Sequence, residues 1–277
     1  MRVVSAQYPA YFSHDAWVSG FDRFLDELGL DTVHLYGVSL GGFLAQFYCE
    51  LRPTRVASLV LTNAFANTDI FSEGILPSGV LQWTPGFYLK KMILNNFPQE
   101  ALDPEISDSV DFSVRQLESL SQQDLASRLT LTAAVREIGP LSLNQAFITI
   151  IDSLDSVALP QVAREVLHKK YPGAKMAHLK MGGNFPMLAN AEEVNMYIVV
   201  HLRNVGAIDM PKPVDVGDDS DADVVDEEQG VVEEAKEEEE KEEEEEERAE
   251  EPAGDEEDKT EAQEDKGKAK EDDDVGL

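Results

Sequence analysis

Cysteine is nearly absent from this chain: Cys49 is the single one among 277 residues. No disulfide can close within the chain, and a reducing compartment is expected. Long apolar runs are also absent. None approaches the ~18 residues of a membrane span, and the opening M-R-V-V-S-A-Q-Y-P has no extended apolar signal region. The expectation is a soluble, cytosolic protein. Basic residues are scarce, with 23 Lys and Arg against 55 Asp and Glu and a formal charge of −32. That sign argues against direct binding of nucleic acid. Nothing in the sequence calls for a cofactor or a metal.

The negative charge is concentrated at one end. From Pro211 to Leu277 there are 33 Asp and Glu against 8 Lys and Arg, which leaves 22 against 15 for residues 1–210. Two domains of different kind are therefore expected: a folded one over 1–210, long enough for a sizeable core, and a disordered acidic tail over 211–277. Runs such as E-E-E-E-K-E-E-E-E-E-E-R carry too little apolar surface to offset the entropy of ordering. The tail reads first as a solubilising segment and second as a means of capturing basic proteins.

What the folded part does have is a strand-like run, Thr32 to Tyr36, that breaks into G-V-S-L-G at Gly37–Gly41 and continues as the helical F-L-A-Q-F. This is the pattern of a nucleophile elbow, which holds a serine on a tight strand-to-helix turn. Gly37 and Gly41, two residues either side of Ser39, are expected to remove Cβ atoms from crowded positions. The backbone N–H of Leu40, opening the helix, would point where an oxyanion forms.

Around the elbow, apolar spacing predicts a strand over Arg2–Tyr8, a helix over His14–Leu28, a strand over Arg55–Leu61 and a helix from Leu40 to before Pro53. The alternation then stops from Phe65 to about Leu143, where helices are expected over 86–97, 104–120 and 122–135. An insertion at this point in a sheet forms a cap over the site. Ala146–Ile151 and Ala174–Leu179 resume the strands, with helices over 160–170 and 191–202. The order implies an α/β-hydrolase fold: a mostly parallel sheet, helices on both faces and a helical cap.

A serine hydrolase with this elbow places an acid and then a histidine further along the chain. The acid belongs just after the strand that follows the cap, where Asp155 stands in the acid position and Asp152 where a glycine is usual. The base belongs in the loop after the last strand. That loop reads M-G-G-N-F-P, and Asn184 occupies the base position. An amide nitrogen has no basic lone pair near neutral pH and cannot take the proton of Ser39. Of the five histidines, His34 and His178 fall inside strands and His168 and His201 on helices. His14, expected in a loop after the first strand, is the least unsuitable substitute. Cys49, on the helix after the elbow, reads as a packing residue.

Three segments together, H-L-Y-G-V-S-L-G-G-F-L-A-Q, L-E-S-L-S-Q-Q-D-L-A-S-R-L-T-L and A-H-L-K-M-G-G-N-F-P, resemble the maspardin family of the α/β-hydrolase superfamily over roughly residues 2–210. The resemblance implies a non-catalytic protein with a vestigial site at Ser39 and Asp155, an asparagine at Asn184 for the base, and action through protein partners as an adaptor or regulator. It also implies a cytosolic location with peripheral association with endosomal and Golgi membranes. The family carries further N-terminal strands and a loop for a second oxyanion donor, so the expectation is a shortened sheet, with an acidic tail that the family pattern lacks. The competing enzyme reading is a weak serine esterase or lipase using Ser39 with water or His14 as the base.

Overall fold

In a computed structural model of the chain, residues 2–72, 75–95, 97, 103–156 and 159–209 are described. The acidic segment expected to be disordered lies outside them. Four strands, β1 (Val33–Val38), β2 (Val56–Thr62), β3 (Ile148–Ser153) and β4 (Lys175–Leu179), form one parallel sheet in the order β1-β2-β3-β4. Parallel neighbours need crossovers. Helix α1 (His14–Glu27) precedes β1, and α2 (Leu40–Leu51) carries the chain from β1 to β2.

Alternate residues of β2 feed two cores. Leu59 and Leu61 pack with Trp17 of α1, Phe43 and Phe47 of α2, and Ile150 of β3. Val60 and Ile151 face the opposite way, with Leu179 of β4 and Val194. Burial on both faces explains why the central strands β2 and β3 carry apolar residues at consecutive positions and do not alternate. Each fully buried Leu or Ile contributes roughly 1.5–3 kcal/mol relative to exposure.

Between β2 and β3 lie α3 (Asp69–Ser72), α4 (Ser78–Leu81), α5 (Gly86–Leu94), α6 (Pro104–Ser119) and α7 (Gln122–Ala133). They form the expected cap, with a core of its own around Leu81, Leu89, Leu117, Leu125 and Leu129. The starts are written in the caps: Asp103 accepts the amide of Glu105 before Pro104 opens α6, and Ser121 accepts that of Asp124 before α7. After β3, α8 (Gln161–Lys170) crosses to β4, and α9 (Pro186–Ala189) and α10 (Ala191–Asn204) close the domain.

The strand expected over Arg2–Tyr8 does not form. Residues 2–10 run as irregular chain, because a strand exists only where a neighbour completes its ladder. Here the partners are helices. The Arg2 guanidinium donates to the Leu28 carbonyl, Tyr8 sets its ring edge-on against Trp17 at 5.9 Å, and Arg128 of α7 donates to the Tyr8 carbonyl at 3.1 Å. This segment ties the cap to α1. It adds nothing to the sheet.

Candidate active-site edge

Ser39 sits between β1 and α2 with φ 49° and ψ −119°. A non-glycine residue held there costs about 1–3 kcal/mol and is retained only where its surroundings enforce it. Two contacts do so: the Ser39 N–H donates to the Thr62 carbonyl at the end of β2 (3.0 Å), and its own carbonyl accepts the amide of Phe43 (3.1 Å). The side chain caps no amide and is exposed. Leu40 is the first residue of α2, as the motif requires.

Crowding accounts for only one of the two predicted glycines. A Cβ at Gly37 would lie 2.6 Å from the Gly41 carbonyl oxygen and 2.7 Å from the Gly42 Cα. At Gly41 a Cβ would meet nothing within 4 Å; the second tight position is Gly42, where it would lie 2.6 Å from the Ala64 Cβ. The steric demand expected at Gly41 therefore falls one residue later, where α2 crosses the chain leaving β2.

Asp155 follows β3 and does reach the loop after β4. Its carboxylate accepts the Ser153 hydroxyl at 2.5 Å and the amides of Gly182 at 3.1 Å and Gly183 at 2.9 Å. Gly182 (φ 153°) and Gly183 (φ 57°) have the backbone shape that exposes both amides to one acceptor. The next residue is Asn184, whose side-chain oxygen accepts the Ser156 hydroxyl at 3.0 Å. The acid-position and base-position residues thus belong to one hydrogen-bonded loop pair. The cap reaches it as well: a Cβ on Gly183 would lie 2.9 Å from Ile106 of α6.

One residue of this arrangement escaped the sequence reading. Asn63, immediately after β2, is buried and left-handed (φ 43°). Its amide group donates to the Gly183 carbonyl at 3.2 Å and its side-chain oxygen accepts the Ser153 amide at 2.9 Å. It joins the elbow strand's neighbour to both loops. Asparagine tolerates left-handed backbone better than most residues, and an Asn directly after an apolar strand is the signal that was available.

None of the histidines lies on these loops. His14 is not in a loop after a strand, as expected, but is the first residue of α1, buried with its Nε2 2.8 Å from the Leu131 carbonyl and its ring against Phe43 and Phe47. Burial holds it below the ordinary imidazole pKa. His34 and His201 flank the buried Ser58 hydroxyl at 2.7 and 2.8 Å, and His201 also meets Thr149 at 2.7 Å. Asp152, in the usual glycine position, is buried and pairs with His168 at 2.6 Å. His178, on β4, sets its ring across that of His168 at 6.1 Å. Cys49 is buried, its thiol pushed up to about 11 by loss of solvent, and packs as expected. Among the described residues, no three His, Cys, Asp or Glu side chains are grouped to hold a metal ion.

A parallel sheet with an elbow serine at its carboxyl edge, an acid after the next-but-one strand and a helical cap between defines a protein of α/β-hydrolase fold. The family model described as alpha/beta hydrolase fold matches residues 10–126. Among solved structures, the chain is similar to a thermophilic esterase from Thermogutta terrifontis (TM-score 0.56, 19% identity, 72% of this chain and 75% of that one). It is likewise similar to a hydrolase from Pseudomonas aeruginosa (TM-score 0.55, 18% identity, 72% and 75%). Identities this low speak to the fold alone. Closer in sequence are maspardin of Danio rerio, 47% identical over 205 residues, and maspardin of Homo sapiens, 46% over 204, each aligned with 73% of this chain. The chain belongs to the maspardin family of the α/β-hydrolase superfamily. It spans 65% and 66% of the length of these two relatives.

Proposed function

We propose that this chain is a non-catalytic α/β-hydrolase-fold protein that acts in the cytosol as an adaptor or regulator, binding protein partners through its cap. The observation that carries the reading is Asn184, an amide at the base position of a loop otherwise built as in a hydrolase. Asp155 spends its acceptor oxygens on a hydroxyl and two backbone amides. In a working triad that carboxylate would orient an imidazole. A serine hydroxyl with no base beside it is a weak nucleophile. A fluorophosphonate probe tests the proposal on the full chain: Ser39 should label no faster than an ordinary surface serine, and rapid labelling that Ser39→Ala abolishes would sink it.

One observation favours a second reading, a weak serine esterase. The elbow strain at Ser39 is kept and its hydroxyl is exposed, which a purely structural turn would not require. Under that reading Asn184→His raises ester turnover by ~10²–10⁴-fold, the usual contribution of a positioned general base. Absence of ester hydrolysis in both the parent chain and Asn184→His disposes of it.

A further inference from the structure

The cap carries an aromatic projection that neither the elbow nor the loop pair uses. Trp83 is 87% exposed and Phe87 75%, with Tyr88 and Val80 about half exposed beside them. Val80 lies in α4, Trp83 on the turn that follows it, and Phe87 and Tyr88 in the first turn of α5; the inner side of the turn is fixed to α7, where the Gln122 side-chain amide donates to the carbonyls of Gln82 (2.9 Å) and Thr84 (3.1 Å). Leu81 and Leu89, one residue or two from the exposed rings, are fully buried. The turn is therefore held by its buried half while its aromatic half faces water. Large apolar rings in that position cost hydration free energy for as long as they stay uncovered.

The charge around the projection is unlike that of the remainder. Residues 75–97 contain no Asp or Glu and two lysines, Lys90 and Lys91, in a chain of formal charge −32. Lys91 is exposed, and Lys90 donates to the backbone carbonyl of Glu118, itself exposed, at 2.9 Å. Trp and Tyr favour the boundary of a bilayer, where the ring body is apolar and the polar edge stays hydrated. Lysines at the same level meet anionic headgroups.

We propose that the α4–α5 turn inserts directly into a lipid surface, Trp83 and Phe87 entering the headgroup–acyl boundary while Lys90 and Lys91 lie against anionic headgroups. The proposal uses neither Ser39 nor Asn184, so it holds whichever reading of that site is right. Burial of the rings supplies the binding. The two lysines oppose the repulsion that the acidic chain meets at an anionic membrane, a repulsion salt screens beyond a Debye length of about 8–10 Å.

The chain contains two tryptophans, and Trp17 is already buried, so a shift in indole emission reports on Trp83. Full-length protein mixed with phosphatidylcholine vesicles, with and without phosphatidylserine, should show blue-shifted emission and co-sediment with them. The double variant Trp83→Ala/Phe87→Ala should bind at least about tenfold more weakly, since each ring buries enough area for a tenfold step of 1.4 kcal/mol. Its thermal melt should match the parent's because both side chains are exposed. Lys90→Ala/Lys91→Ala should weaken binding only to the phosphatidylserine vesicles. No emission shift with either vesicle, or equal binding by the aromatic double variant, overturns the proposal. So does concentration-dependent self-association that the double variant abolishes in the absence of lipid binding, which would assign the turn to a second copy of the chain.

Discussion

At Ser39 the backbone bears the cost of the elbow, and neighbouring residues differ sharply in what they contribute. Gly37→Ala places a methyl 2.6 Å from backbone and should destabilise by about 1–3 kcal/mol, the range for overpacking a tight site. Gly41→Ala points into open space within a helix and should be neutral or stabilising by up to about 1 kcal/mol. Thermal melts of the two variants distinguish them, and equal losses would refute the assignment of crowding to Gly37 and Gly42. Asn63 can be dissected in the same way. Asn63→Gly keeps the left-handed backbone but leaves the Gly183 carbonyl and the Ser153 amide without their partner; a loss of about 1–3 kcal/mol in urea unfolding is expected. Asn63→Ala adds backbone strain and should lose more. A smaller loss in the alanine variant would show that the hydrogen bonds do not hold the loops.

At the scale of elements, what the sequence disclosed depended on whether the cause was local. The elbow, the cap helices and the four sheet strands were legible because spacing, capping residues and turn glycines lie within a few positions of the structure they specify. The strand over Arg2–Tyr8 was misread for the converse reason: an apolar run sets a preference, and only a partner strand turns it into a ladder. Asp155 and Asn184 were placed by their distance after β3 and β4, whereas the role of Asn63 depends on loops far along the chain. The docking of α10 was illegible too. His201 packs its ring between Ser58 of β2 and Thr149 of β3, and burial, with smaller contributions from His34 and Lys175, holds its pKa down at about 4. A histidine unfolds with a pKa near 6.5, so the unfolded chain binds this proton first. The domain should therefore keep its full stability above about pH 6.5 and lose part of it as pH falls toward 4. Urea midpoints measured across that range in the parent and in His201→Gln test this: the variant's profile should be flatter, and identical slopes would clear His201 of responsibility.

For the whole molecule, the site is an agreement between distant segments and not a local motif. The elbow lies at the end of β1, Asn63 after β2, Asp155 after β3 and the Gly182–Asn184 loop after β4, so all four strands deliver one loop each to the same edge of the sheet. The chain retains this convergence together with an amide in place of the base. Loops that anchor one another can hold as scaffold with or without a base among them, which is why G-V-S-L-G is better evidence for the fold than for hydrolysis.

The position of the cap has a kinetic consequence. β1, α2 and β2 follow one another closely, but pairing β2 with β3 must first close a loop of roughly 85 residues, and that entropy is lost before any ladder bond repays it. The order of assembly follows from the topology: the elbow half forms on its own contacts, the cap condenses around its separate core, and β3 is recruited last with the acid-bearing loop. Amide exchange pulsed during refolding should accordingly protect β1 and β2 before Ser153 and Gly183, and simultaneous protection would mean that the cap is already docked when the sheet nucleates. The loop pair that resembles a catalytic site would then be the final part of this fold to exist and the first to open when it is strained.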